Sequence, residues 1–451
     1  MTASSPDFRI GVGAGFSGDR FDAAERLARD GALGALVFET LAERSIALAQ
    51  DSLRSGSGEG FDPRLLRRMS GTLGPVLGQG GVIITNGGAA NPVGAARAVR
   101  SIAAERGHPD ASVVAVTGDD VRDVLDLDDS VIIGTDRPLS DLADRIVSAH
   151  AYTGAETLMA ALTGGADVVI AGRTSDPALF LAPLAVHHGW NLERDDPFIA
   201  AGLLTGHLLE CAGQLSGGYF ADGGRKTVPD LAHLGFPFAD VGADGRVTLR
   251  KLAGTGGRID SRTVIEQLLY EIDDPHAYVT PDGTLDLTEV RVDDLGDDVV
   301  SVTGARLSGR PRQLKVSVGV NDGFRSAAGI SYAGHGALRR ARLAEQIIRE
   351  RWESVHGHDA EHLVVEYMGV NSARHWWHPD GLEEVPEVRL RFGVRALERE
   401  VATALCEEVE ALYTNGPAGG GGVSAHIASS VGIVSTLIDR DLVSGTVEEV
   451  R

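Results

Sequence analysis

Residues 150–190 read HAYTGAETLMAALTGGADVVIAGRTSDPALFLAPLAVHHGW, and the fold turns on them. Asp167–Ala171 is a short, β-branched apolar run behind the pair Gly164-Gly165, the pattern of a strand buried on both faces of a parallel sheet. The chain turns at Gly172, and Arg173, Thr174, Ser175 and Asp176 follow. Pro177 stands where a helix begins, which makes Asp176 the expected N-cap. A cation, two hydroxyls and a carboxylate therefore sit at the carboxyl end of a buried strand, where open α/β sheets bind ligands. A capped helix with Arg173 paired to an acidic neighbour is the plainer reading of the same residues. It is weakened because other strands end in the same manner.

Residues 8–14, 34–38, 81–85 and 112–117 are also short apolar runs, each followed by a polar or glycine-rich turn and then by helical periodicity. Their ends carry Ser17 and Asp19, Glu39, Asn86-Gly87-Gly88, and Asp119-Asp120. Strands alternating with helices predict a parallel sheet, whose carboxyl ends share one edge, so these groups can converge. A further short edge strand is expected at 132–134. Gly13, Gly15 and Gly18 fit G-x-G-x-x-G, but Asp19 and an acidic chain would crowd a pyrophosphate. The helix read over 196–214 places His207 and Glu210 three apart, a spacing that usually marks a structural pair, and leaves Cys211 as a core residue.

Beyond residue 235 the alternation stops. Lys251, Thr255, Gly256 and Gly257 precede a helix over 261–272 with a possible cap at Ser261, and suit either an anion-binding turn or a plain glycine turn. Alternating runs at 286–293, 298–304 and 313–320, the last holding Lys315, predict an antiparallel piece. Helices are read at 336–355 and 396–413, and strands near 362–368 and 386–394. Gly419–Gly422 is either a hinge or a nest of amide donors for an anion. The predicted class is α/β, with a mainly parallel, Rossmann-like sheet and alternating helices in the N-terminal half, followed by a mixed α+β part. The expected domains are 1–225 and 226–451.

The 451 residues carry 42 Lys+Arg against 64 Asp+Glu, a formal charge of −22, which argues against nucleic acid and anionic membrane surfaces as partners. Two cysteines, Cys211 and Cys406, give no disulfide framework. The head of the chain has no basic and apolar leader, and no apolar run reaches the roughly 18 residues of a membrane span. A cytoplasmic protein is expected.

Several segments together resemble one family: GAGFSGD with ETLAERSIAL, TNGGAANP, GGADVVIAGRTSDPALFLAPL, GHLLECAGQLSGGYFAD, LGFPFADV and GPAGGGG. In this order, over roughly residues 8–440, they are similar to the acyclic terpene utilisation family, AtuA. The resemblance implies a bacterial protein of terpenoid or related acyl-CoA catabolism. Longer members carry a C-terminal ferredoxin-like domain. This sequence ends at Arg451 without it, so a separate small ferredoxin-like subunit is an expected partner. The family often has aspartate where this chain has Glu39.

The residues and the resemblance together give one expectation. It is an enzyme of a small or branched carboxylic acid or its CoA thioester, working by acid/base chemistry of the hydratase or lyase type. Arg173 would grip a carboxylate or thioester oxygen. Glu39 or Asp176 would move the proton, and Asn86 with the amides of Gly87 and Gly88 would steady an oxyanion. Ser17, Asp19 and Thr174 would contact substrate. Lys251 or Lys315, with Thr255, Gly256, Gly257, Gly419, Gly420 and Gly421, would meet a distal anionic group. Nothing in the sequence requires a nicotinamide, a flavin or a metal, so no cofactor is expected; a homo-oligomer is. A non-catalytic acyl-binding or scaffold subunit is the alternative.

Overall fold

The structure is a computed structural model that describes residues 7–193, 197–373 and 385–450. The head of the chain, where no leader is read, and residue 196, the first of a predicted helix, lie outside the described residues.

Five apolar runs form the expected strands: β1 (Phe8–Ala14), β2 (Ala35–Phe38), β3 (Val82–Thr85), β4 (Val113–Thr117) and, after β5 (Ile146–Ala151), β6 (Val168–Ala171). Helices separate them: α1 (Asp22–Asp30), α2 (Glu43–Ser55), α3 (Leu65–Gly78), α4 (Pro92–Glu105) and α5 (Glu156–Thr163). After β6 come α6 (Asp176–His188) and α7 (Pro197–Leu209). The chain then adds β7 (Pro237–Val241), β8 (Val247–Lys251), α8 (Ser261–Leu268), β9 (Tyr278–Thr280), β10 (Gly283–Asp286), β11 (Arg291–Gly296), β12 (Val299–Thr303) and β13 (Arg306–Ser308). It closes with β14 (Gln313–Ala333), α9 (Ala337–Ser354), β15 (Val364–Met368), β16 (Glu387–Ala396), α10 (Arg399–Asn415), β17 (Gly421–Asp439) and β18 (Thr446–Glu449).

The chain divides into two compact units, Met1–Gly319 with Ile433–Arg451, and Val320–Gly432. The first unit runs past the boundary expected at 225/226. Strands β7, β8, β12 and β11 continue the sheet that β1 begins, so residues 237–303 complete the first unit. That sheet has the order β11-β12-β8-β7-β1-β2-β3-β6-β4-β18. Its centre, β1-β2-β3-β6-β4, is parallel, and antiparallel strands extend it on both sides. The class is α/β, with a mixed sheet around a parallel core. Strands β2 and β6 are buried at every position, as a strand covered on both faces should be. Helix α6 is buried from Pro177 through Ala185, which explains its apolar sequence all round.

In the second unit the sheet order is β15-β16-β14-β17, with β14 and β16 antiparallel. Helices α9 and α10 supply Ile348, Trp352, Leu405 and Val409 to its core. Both β14 and β17 run from one unit into the other.

Three local expectations change. No strand forms at 132–134, where Val131 makes only an isolated bridge to Pro138. Ser175, not Asp176, is the N-cap of α6, because the Asp176 carboxylate turns back to Arg173. Asp260, not Ser261, caps α8, accepting from the amides of Arg262 and Thr263.

Candidate active site

The carboxyl ends of β1, β2 and β6 open on a cavity of about 830 Å³ in the first unit. Gly15, Ser17 and Asp19 line it from the turn after β1, Glu39–Glu43 from the turn after β2, and Arg173, Ser175 and Asp176 from the turn after β6. Tyr152, just past β5, and Lys315, on β14, add to one side, and Glu210 and Cys211 come from the end of α7. Six carboxyl groups line the space (Asp19, Glu39, Glu43, Asp176, Glu210, Glu271) against three cations (Arg20, Arg173, Lys315).

Glu39 is held by two hydrogen bonds. Its Oε1 accepts the Leu41 amide at 2.8 Å and the Asn86 Nδ2 at 2.9 Å. Asn86 is itself fixed, since its Oδ1 accepts the Thr40 amide at 2.9 Å. Both hydrogen bonds end on Oε1, which leaves Oε2 to the cavity. Burial and the nearby Asp176 carboxylate push Glu39 well above the usual carboxylate range, against the pull of Arg173.

Arg173 is buried, and its guanidinium is almost saturated. Nε and one terminal nitrogen donate to the Thr174 carbonyl at 3.2 and 2.7 Å, the other terminal nitrogen donates to the Leu41 carbonyl, and Asp176 takes a contact of 2.5 Å. The Tyr152 ring covers it at 4.4 Å. Asp119 receives the Arg173 amide at 2.8 Å and so anchors the turn from below. The two-pronged grip on a substrate carboxylate expected of Arg173 is not available in this arrangement. The residue instead locks three loops together and supplies a fixed positive charge. Burial carries Asp176 up to about 7 even beside that charge, with Glu210 and Glu43 adding to the effect.

At the mouth, the Tyr152 hydroxyl donates to Glu43 at 2.6 Å and Lys315 reaches the same oxygen at 3.1 Å. Burial works against ionisation of Glu43, but these two hydrogen bonds outweigh it and take Glu43 down to about 2. Glu43 is thus a standing anion. Phe16, Tyr219 and Val279 are 62%, 75% and 60% exposed on the cavity lining, a wide apolar rim around a polar floor. The backbone is left-handed at Ala212, φ 47°, and at Glu271, φ 59°, both beside the cavity lining from the end of α7 and from beyond α8. Non-glycine residues held there cluster at functional sites.

The predicted residues divide sharply. Glu39, Arg173, Asp176, Ser17 and Asp19 do line one cavity. Ser17 donates to Asp62 at 2.7 Å, and Asp19 accepts the Gly15 amide at 2.9 Å, so both shape the turn after β1. Asn86 lies one layer behind, as the holder of Glu39. Gly87 and Gly88 do not line the cavity. The Gly87 amide is taken by Thr85 Oγ1 at 2.9 Å, and a Cβ on Gly88 would come within 2.7 Å of the Ala171 carbonyl. These glycines permit close packing of strands, not an oxyanion hole. Thr174 is buried and faces Thr153.

Lys251 is bound to Asp298 at 2.9 Å and to the Thr255 carbonyl at 3.0 Å, with its side chain 5% exposed. Gly256 and Gly257 pack against Asp230 and Ser216, and Thr255 borders only a small hollow of about 80 Å³. In the structure this segment is engaged by its own neighbours. Gly419, Gly420 and Gly421 belong to the second unit, where Gly420 packs on Ile330 and Tyr332 and Gly421 opens β17. Tyr152, Glu210, Glu271 and Tyr278 were not among the candidates. Only the i, i+3 spacing of His207 and Glu210 gave any signal, because the others reach the cavity through pairings remote in sequence.

The family model of the acyclic terpene utilisation protein AtuA matches residues 8–448. The chain belongs to the AtuA family. No curated protein and no solved structure matches it. Among the described residues of this AtuA-family chain, no group of His, Cys, Asp and Glu is placed to hold a metal ion, and no helix is long and apolar enough to cross a membrane.

Proposed function

We propose that this AtuA-family protein is an enzyme of a small or branched acyl group, presented as a carboxylic acid or its CoA thioester. It works by acid/base chemistry of the hydration, dehydration or lyase type, in terpenoid or branched-chain acyl catabolism. The observation that carries this reading is the juxtaposition of Glu39 and Asp176 beside the immobilised Arg173 in one cavity. A protonated Glu39 donates through Oε2 to an acyl oxygen. Asp176, which titrates at about 7, takes or returns the second proton, a value suited to work near neutrality. The fixed charge of Arg173 steadies the negative charge that develops between them.

The excess of carboxyl groups favours a neutral thioester carbonyl at the floor over a free carboxylate. The rim of Phe16, Tyr219 and Val279 suits an apolar branch, and Lys315, 45% exposed beside Glu43 at the mouth, is a cation that can meet an anionic end. The alternative, a non-catalytic acyl-binding or scaffold subunit, draws on the engagement of Arg173 and Asn86 by their own neighbours.

The test is a thermal-shift panel of branched acids and acyl-CoAs on wild type, Glu39→Gln and Lys315→Ala, with mass spectrometry of each stabilising compound after incubation. The enzyme reading expects a compound that stabilises all but Lys315→Ala strongly and changes mass with wild type only. Stabilisation with no change of mass favours the binding subunit. No stabilising acyl compound overturns both.

A further inference from the structure

A second proton-handling group enters the same cavity from the end of α7. Glu210 is buried, and its carboxylate Oε1 lies 3.3 Å from Nδ1 of His207. His207 is itself 1% exposed. Its Nε2 lies 3.0 Å from the Leu268 carbonyl, which can only accept, so Nε2 carries a hydrogen. Neutral His207 then has a bare Nδ1 facing Glu210, and two acceptors at that distance hold together only through a proton. The other carboxyl oxygen, Glu210 Oε2, is buried without a hydrogen-bond partner, while Glu210 lines the cavity. An unpartnered carboxyl oxygen sealed in this way is costly as an anion, which favours a carboxyl group that carries a proton.

We propose that Glu210 and His207 share one proton and that the Glu210 carboxyl, which lines the cavity, exchanges a proton with whatever occupies it. Glu210 is the group that meets the ligand; His207 is the positioning residue and proton store behind it. In the base direction, a ligand O–H or C–H bond breaks and its electron pair stays on the ligand. The proton goes to the Glu210 carboxyl, while the proton between Oε1 and Nδ1 moves onto Nδ1. The carboxyl group stays neutral and the imidazole becomes a cation. The acid direction is the reverse. This deepens the acyl-enzyme reading by adding a donor from a separate element, and it rests on that reading only for the identity of the ligand.

The groups facing the pair fit this use. Glu271 acts on both members, Arg173 acts on Glu210, and the Tyr278 ring sits 5.2 Å from that of His207. Asp176 and Cys211 feel the Glu210 charge in turn. Burial holds Glu210 above the usual carboxylate range. For His207, burial is outweighed by Glu210, and its titration is raised. The close approach of Gly15 to the backbone of Glu210 and Cys211, where a Cβ would fall within 2.6 Å, fixes the end of α7 against β1.

The test needs no substrate. Imidazole-¹⁵N spectra of the full chain are followed against pH for wild type, Glu210→Gln and His207→Gln. The last assigns the signal and keeps the donor that the Leu268 carbonyl needs. Sharing predicts that Glu210→Gln moves the His207 titration at least tenfold in proton concentration toward acid. An unmoved titration overturns the proposal. In parallel, wild type is treated with dicyclohexylcarbodiimide, which adds to a protonated carboxyl within reach, and the Glu210 peptide is weighed. An adduct that fades as the pair loses its proton supports a Glu210 carboxyl open to the cavity, and an unmodified Glu210 overturns it. Should Glu210→Gln fail to fold, the wild-type titration still decides: a His207 signal with the ordinary His value refutes the pair. The acyl panel can fail on its own, because neither readout here involves an acyl compound.

Discussion

Two walls of the cavity are built on opposite principles. On the wall from β2 and β6, the polar atoms are almost all engaged: Arg173 is held by two carbonyls and Asp176, and Glu39 by Leu41 and Asn86. On the wall from α7, Glu210 Oε2 has no hydrogen-bond partner, and His207 Nδ1 meets Glu210 Oε1 only at a long 3.3 Å. Engagement gives a rigid electrostatic frame, since moving any one group would strand others in a medium of low dielectric. Slack leaves a group whose proton can move without dismantling its surroundings. A site that must hold charge steady and still pass protons needs both.

The largest expected effect follows from breaking the engaged wall. Arg173→Leu removes a buried cation and leaves the Leu41 and Thr174 carbonyls unserved, with Glu39 and Asp176 facing each other. A loss of about 3–5 kcal/mol is expected, by analogy with other broken buried pairs. Glu210→Gln on the slack wall is expected to cost about 1 kcal/mol or less, because it removes a desolvated carboxyl that already lacks one partner. Denaturant melts of the two variants measure the contrast, and equal losses would dissolve the distinction.

The same contrast explains what could be read from sequence. A parallel sheet puts all its strand ends on one edge, so Glu39, Arg173 and Asp176 were legible as neighbours from local pattern alone. Their roles were not. Whether a guanidinium grips a ligand or two backbone carbonyls depends on where the Leu41 and Thr174 carbonyls fall, which no spacing encodes. The glycines misled for a related reason. Gly88, Gly256 and Gly257 are needed because another backbone comes too close for a Cβ, and a ligand-binding glycine has the same sequence signature. Glu210 was legible only as an i, i+3 partner of His207. Its place in the cavity depends on α7 meeting the end of β1, nearly 200 residues earlier in the chain.

Acidity should separate the walls next. Asp176 is pushed up to about 7 in the folded protein and Glu39 well above the ordinary carboxylate range, whereas both unfolded values lie near 4. Above the unfolded value the native state therefore binds more protons than the unfolded chain, so stability falls as pH rises from about 4 through 7. The His207 contribution has the same sign, present below the unfolded histidine value near 6.5 and lost as pH passes its raised folded value. Glu43, held at about 2, acts oppositely, and only below the ordinary carboxylate range. Calorimetric melting between pH 5 and 8 should show a downward slope. It should flatten in Glu39→Gln and Asp176→Asn, and in Glu210→Gln over the histidine range. A wild-type slope upward through this interval would contradict the raised carboxyls.

Gly88→Ala gives a smaller, purely steric perturbation of the engaged wall. The added methyl would meet the Ala171 carbonyl at 2.7 Å, next to the turn that carries Arg173, and a loss of about 1–3 kcal/mol is expected from overpacking. Its Glu210 labelling by carbodiimide should stay as in wild type, because β3 and β6 hold no atom of the slack wall. A melt at wild-type temperature would mean the strands can part without cost.

The smallest effect is expected away from both walls. Lys251 has the charge and the neighbouring glycines of an anion site, yet its ammonium is closed in by Asp298 and the Thr255 carbonyl. Lys251→Met keeps the length of the stem and removes one hydrogen bond and one ion pair whose acid is about one-third exposed, for a loss of about 1 kcal/mol. Any acyl compound that stabilises wild type should then stabilise Lys251→Met by the same increment, while Lys315→Ala loses that increment. If Lys251→Met instead loses the ligand shift at unchanged basal stability, the anion-binding reading of the Lys251–Gly257 segment returns. The division between a structural glycine turn and a working cavity would then have to be redrawn.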